Sequence, residues 1–190
     1  MKVDQAFFER RAPVVARALI GCELISCTCG ERTSGMIVET EAYGNHDPGS
    51  HASRGRTPST EVLFGPPGRA YVYLIYGIHF MLNVVTGPAG IPSSVLLRAL
   101  EPLEGRDIMG KRRGVDEDSV SLTNGPGNLT QALGISREHN RIDLLGTTLW
   151  IQEHSPHLPI ATSRRVGVPD VRPWRFYLPG NPYVSPQLSD

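Results

Sequence analysis

Residues 38–51 read VETEAYGNHDPGSH: two glutamates one residue apart, Glu39 and Glu41, then Tyr43, then a turn-rich loop holding His46, Asp47 and His51. On a β-strand alternate side chains share a face, so Glu39, Glu41 and Tyr43 point the same way, with the carboxylates roughly 6.5–7 Å apart. Two readings are open. The first is a solvent-facing polar edge. The second is acid/base chemistry: an aromatic surface limits water, raises the basicity of a carboxylate and suits it to take a proton from an attacking water. Such a pair can serve glycosidic hydrolysis, because a nearby negative charge stabilises an oxocarbenium ion developing at a sugar carbon. His46, Asp47 and His51 raise a metal reading, but their spacing on a Pro/Gly loop matches no helical H-x-x-x-H or facial-triad arrangement.

A second chemical stretch is YVYLIYGIHF, residues 71–80. Strand alternation puts Tyr71, Tyr73 and Ile75 on one face and Val72, Leu74 and Tyr76 on the other, with Gly77 where the chain turns. Tyr71 reads as cross-strand packing. Tyr76 stands at the tip, where it cannot bury itself in its own core and is free to wedge between stacked bases. Tyr43 and Tyr73, on separate hairpins, can sandwich a flat heterocycle.

The elements that must position these groups follow from period and punctuation. Residues 4–21 read as two helical pieces, the first capped by Asp4, the second started by Pro13 and stopped by Gly21. From Cys22 to Tyr43 the period becomes strand-like, with GERTSG, residues 30–35, as a polar turn between two strands. A second hairpin spans residues 69–87, and SSVLLRALEP, residues 93–102, is an apolar strand with Arg98 inside it. GPGNLTQALGI, residues 125–135, opens with glycines and proline and becomes a short helix closed by Gly134. The tail offers short strand-like pieces broken by proline.

Hydrophobic residues at 39% of 190 fit one compact domain, and 20 glycines with 16 prolines argue for many turns and against a helix bundle, giving a loop-rich mixed α/β fold. The first residues lack the apolar run of a secretory signal, and no segment approaches the length of a membrane span, so an intracellular, soluble chain is expected. Cys22, Cys27 and Cys29 match no zinc spacing and read as free thiols. Formal net charge is zero, which removes a whole-molecule steering field. Three local basic clusters remain, at residues 111–114 (KRRG), 163–165 (SRR) and 171–176 (VRPWRF); they are ordinary solvated faces unless they share one side, where they can contact phosphates.

Together VARALIGCEL, IVETEAY, SHASRGRTP, PPGRAYVYLIYGIHFMLNVV, VLLRALEPLEG, LTNGPGNLTQALGI, RVGV and PWRFYLPGNPYVS carry a resemblance, in order along almost the whole chain. The sequence resembles the alkyladenine (3-methyladenine) DNA glycosylases of the mammalian type. The resemblance implies an α+β fold, a single domain over residues 1–190, with a curved, mainly antiparallel sheet, peripheral helices and a protruding β-hairpin. It implies that Glu41 is the general base activating the water that attacks C1′, with Arg98 helping to hold that water. Tyr43 and Tyr73 would stack on the flipped base, His51 would line and hydrogen-bond the same pocket, and Asn83 would disfavour guanine. Tyr76 would fill the gap left in the duplex; apart from the resemblance, Gly125 and Gly127 before a helix N-terminus and Arg164 and Arg165 of the SRR cluster are the candidates for the DNA backbone.

The implied partner is double-stranded DNA carrying damaged purines, approached from the minor groove by a monomer with no metal, cofactor or membrane. No lysine accompanies the carboxylates, so the expected enzyme is monofunctional. The expected location is cytoplasmic, at the nucleoid or in the nucleus according to the organism. Asn128 stands where the family usually has lysine, which removes one charged DNA contact, and Glu39 has no implied role. Two other classes compete: a non-catalytic lesion-recognition protein, against which stand Glu41 and Arg98, and a nucleoside or saccharide hydrolase using Glu39 and Glu41 as a pair, against which stands Tyr76.

Overall fold

The computed structural model describes residues 1–153 and 157–185. In chain order the elements are α1 (Gln5–Phe8), α2 (Ala12–Leu19), β1 (Glu23–Thr28), β2 (Glu31–Tyr43), β3 (Ala70–Ile75), β4 (His79–Val85), β5 (Ser94–Glu104), α3 (Arg106–Arg113), α4 (Pro126–Ala132), β6 (Leu149–Gln152), β7 (Ala161–Ser163) and β8 (Arg175–Tyr177), with short 3-10 turns between them. All the paired strands are antiparallel. They form one curved sheet in the order β3-β4-β5-β2-β1-β6, with β8 paired to β2 and β7 paired to β8. No helix among the described residues is long and apolar enough to cross a membrane.

The local signals explain most of these elements. The Asp4 carboxylate accepts from the Phe7 N–H at 2.9 Å and starts α1. Pro13 lies in the first turn of α2, and the helix is over by Ile20 and Gly21. Val15, Ala16 and Leu19 of α2 are fully buried and join Leu24, Ile37, Leu97, Leu100 and Leu129 in the main core. The β3–β4 hairpin turns at Tyr76-Gly77, as its sequence predicts.

The first hairpin differs from expectation. Its turn is Cys29-Gly30 alone, both left-handed at φ 56° and 77°, the backbone a two-residue hairpin needs to match strand twist. Residues 31–35 are strand instead of turn. Gly35 serves close packing: a Cβ there would lie 2.9 Å from Leu100 Cβ on the neighbouring strand.

β2 is the strand that matters for the site. Its first half pairs with β1 and β5, whereas Glu39, Thr40 and Glu41 pair with β8 in place of β1. Register shifts beside Glu39 mark bulges, which bend the strand and re-aim its side chains where the partner changes.

Candidate active site

Glu39 and Glu41 are both fully buried, which removes the polar-edge reading of this strand. Their surroundings differ. Glu39 Oε1 accepts from Arg98 Nε at 2.8 Å and Arg175 Nε at 2.7 Å, and its Oε2 accepts from the Ser185 N–H at 2.8 Å and the Ser185 hydroxyl. Four donors fill a carboxylate's acceptor capacity. Burial pushes the Glu39 carboxyl up, but Arg98, Ser185 and Arg175 together hold it below its ordinary value. Glu39 therefore has no lone pair to offer a water, and the paired acid/base use of the two glutamates fails on that ground.

Glu41 is less fully engaged. Its Oε1 accepts from the Val166 N–H at 2.7 Å, its Oε2 from the Tyr43 hydroxyl at 2.8 Å, and Arg98 Nη1 lies 3.4 Å from Oε1. Part of its acceptor capacity is left over. Arg98 touches both carboxylates and stays protonated despite its burial. Burial, and then the charge of Glu41, push the Tyr43 phenol well above its usual range, so it remains a hydrogen-bond donor.

Tyr43 also lines a partly open pocket with His51, Tyr71, Tyr73, Asn83 and Ser94. The His51 ring meets Tyr73 edge-on at 4.3 Å between centroids, and its Nδ1 bonds the Tyr71 hydroxyl at 2.9 Å. Burial, assisted by the charge of Arg54, lowers the His51 pKa, leaving a neutral imidazole in the wall. Burial pushes the Tyr73 phenol up to about 12. Asn83 donates its amide to the Tyr71 carbonyl at 3.4 Å, which fixes how it faces the cavity. Four of the expected pocket residues are thus brought together. Tyr71 was missed as a site residue: it is buried, as packing predicts, yet it lines the cavity and braces His51. The signal was its two-residue spacing from Tyr73.

Tyr76 is 85% exposed and left-handed at φ 54°, with the apolar Ile78 exposed beside it. An exposed tyrosine in a conformation that costs about 1–2 kcal/mol is strain kept at a protruding tip.

Several basic residues lie elsewhere than expected. Arg164 is exposed, but Arg165 is buried, with its guanidinium on both Asp47 oxygens, Asp170 and the Ala42 carbonyl. This corrects its assignment to the DNA backbone: a phosphate cannot reach a guanidinium already committed to two carboxylates. Asp47, which the sequence raised only within a metal reading, is the buried anchor of that network and also pairs with Arg172. Arg112 and Arg113 bond the carbonyls of Ala132 and Leu122, which takes them out of a solvated KRRG face. Gly125 precedes α4 and Gly127 packs against His79, where a Cβ would come within 2.9 Å of the ring. Asn128 turns its amide back to the Asn124 carbonyl at 2.8 Å. Arg175 and Ser185, which hold Glu39 together with Arg98, were not singled out individually from sequence.

Glu39 and Asp47 set an acid limit on stability. Although burial raises both, their bonded cations hold them below the ordinary values of 4.5 and 3.8. The unfolded chain therefore takes up protons first on acidification, so their stabilisation is complete above about pH 5, begins to fall near pH 4 and is lost as pH drops through the lowered values of the folded state. Urea midpoints measured from about pH 7 down to 3 should be level and then drop; a midpoint unchanged at the acid end contradicts this.

The methylpurine-DNA glycosylase family model matches residues 6–182 of the chain. A protein of Anaeromyxobacter dehalogenans provisionally named 3-methyladenine DNA glycosylase is 48% identical over 193 residues, covering 97% of this chain and 86% of its own length. Proteins with the same provisional name from Methanoculleus marisnigri and Clostridium acetobutylicum are 47% and 44% identical, each covering 97% of this chain and 99% and 98% of their own. These relatives are bacterial and archaeal, so the comparisons support the family as a whole and not a mammalian branch of it.

Proposed function

Because the chain belongs to the methylpurine-DNA glycosylase family and is therefore a DNA glycosylase, we propose that it flips damaged purines from duplex DNA and hydrolyses the N-glycosidic bond with a water activated by Glu41. The observation that carries this reading is the difference between the two buried glutamates: Glu39 is saturated by four donors, and Glu41 keeps acceptor capacity beside an aromatic pocket.

The proposed reaction needs the base outside the stack, since a paired base shields C1′ from a water in line with the bond. Tyr76 enters from the minor groove and fills the vacated space, and the base stacks between Tyr43 and the Tyr73–His51 wall. A cationic purine such as 3-methyladenine or 7-methylguanine is held by electron-rich rings and is already a good leaving group; hypoxanthine and ethenoadenine are the neutral substrates of this reading. Glu41 takes a proton from the water as its oxygen bonds to C1′, and the bond to the base breaks with its electron pair leaving on the purine. Negative charge at Glu41 stabilises the oxocarbenium character at the sugar. Asn83, oriented by the Tyr71 carbonyl, faces the position of a guanine amino group.

The product is an intact abasic site. The chain has two lysines, Lys2 and Lys111; Lys2 bonds the Gly146 carbonyl and Lys111 pairs with Asp107, so neither brings an amine to the pocket. The test is release of free base, in the presence of a metal chelator, from duplexes carrying 3-methyladenine, hypoxanthine or ethenoadenine. No release from any of them removes this reading, and strand cleavage by the enzyme alone removes the monofunctional part. Tyr76→Ser is expected to weaken lesion-duplex binding by about 1–3 kcal/mol, the worth of one base–aromatic stack. Being exposed, it should leave thermal stability unchanged; full binding by this variant would mean that the tip is not the wedge.

A further inference from the structure

Glu39 takes no part in the proton transfer above, yet it is the more heavily bonded of the two buried glutamates. Through it Arg98 is held by its Nε edge, with Nη2 donating to the Ser185 hydroxyl at 3.3 Å. Arg175 backs the arrangement, donating to Glu39 from Nε and to the Ser185 carbonyl from Nη2 at 2.9 Å. Arg98 consequently shows Glu41 a single terminal nitrogen, at 3.4 Å. A guanidinium free to turn binds a carboxylate through two parallel N–H···O bonds. Two such bonds would occupy the acceptor positions that Glu41 needs for water.

We propose that Glu39 is a positioning residue: clamped by Arg175 and Ser185, it holds Arg98 edge-on, so that the guanidinium lends positive charge to Glu41 without closing over it. The inference rests on Glu41 being the base. The charged and ionisable groups around the pair are Arg98 from β5, Arg175 from β8, Tyr43 from β2 itself, Tyr73 from β3 and, across Tyr43, Arg165. Two carboxylates face two clamping arginines, so removing the Glu39 charge leaves Glu41 as the remaining anion for Arg98.

The test compares wild type with Glu39→Gln, with Glu39→Gln/Arg175→Met, which restores charge balance if the single variant folds poorly, and with Ser185→Ala. Crystal structures of the Glu39 variants should show both Arg98 terminal nitrogens within about 3 Å of Glu41. Single-turnover excision should slow on the order of 10²-fold, the cost of misplacing a reacting group by about an ångström. Lesion-duplex affinity should hold, so the loss falls on the chemical step and not on binding. Ser185→Ala should move the same readouts less far. Arg98 remaining edge-on in the Glu39 variants, or a loss of melting temperature with an unchanged single-turnover rate in the folded variant, overturns the proposal. The position of Arg98 needs no turnover to be read, so a wild type that releases no base would defeat the proposed function separately.

Discussion

Glu41→Gln is expected to slow single-turnover base release by about 10²–10⁴, the usual worth of a positioned general base, while lesion-duplex affinity stays at the wild-type level. The substitution is close to isosteric. A glutamine oxygen can still accept from the Val166 N–H or the Tyr43 hydroxyl, so the local scaffold is retained and the proton acceptor is lost. Arg98 keeps its bond to Glu39 and does not lose its place. A fall in the chemical step with binding unchanged identifies an interaction made chiefly in the transition state. Glu41→Asp sharpens the test: it keeps the base but withdraws it by one methylene, so its rate should fall between the two. Equal rates for wild type and Glu41→Gln would take Glu41 out of the mechanism and leave this pocket without a carboxylate base, since Glu39 is saturated.

How much of this was legible beforehand depended on whether the deciding contact is local. The Tyr76-Gly77 tip, the caps of α1 and α2 and the shared face of Tyr71 and Tyr73 follow from residues within a few positions of one another. Period two also placed Glu39 and Glu41 on one face. It left open whether that face was wet, because what covers it comes from far along the chain: Arg175 lies 136 residues from Glu39 and Val166 lies 125 from Glu41. The same limit misplaced Arg165. A run of arginines reads as surface until an Asp47 118 residues away is found against it. Gly35 misled in another way: glycine was read as a turn, and it was needed for close approach to Leu100.

The buried Arg165 yields the largest expected effect on stability. Its side chain is inaccessible to solvent, as is that of Asp47, and it binds both Asp47 oxygens as well as Asp170. Removing one partner of a buried pair leaves an uncompensated charge and typically costs about 3–5 kcal/mol. Asp47 retains Arg172 and the Gly49 N–H, which favours the lower end for Arg165→Met. In a domain of this size a loss of about 3 kcal/mol lowers the melting temperature by roughly 6–12 °C. Arg164→Met, one residue earlier and exposed, should stay within about 0.5 kcal/mol of wild type. The effect should also reach the chemistry: Arg165 lies over the Tyr43 ring at 4.5 Å, and the next residue supplies the N–H that holds Glu41. Excision by Arg165→Met should therefore fall even at temperatures where the variant remains folded, whereas Arg164→Met should change DNA affinity and its salt dependence alone. If the two variants melt together, Arg165 is not the structural anchor its bonds describe.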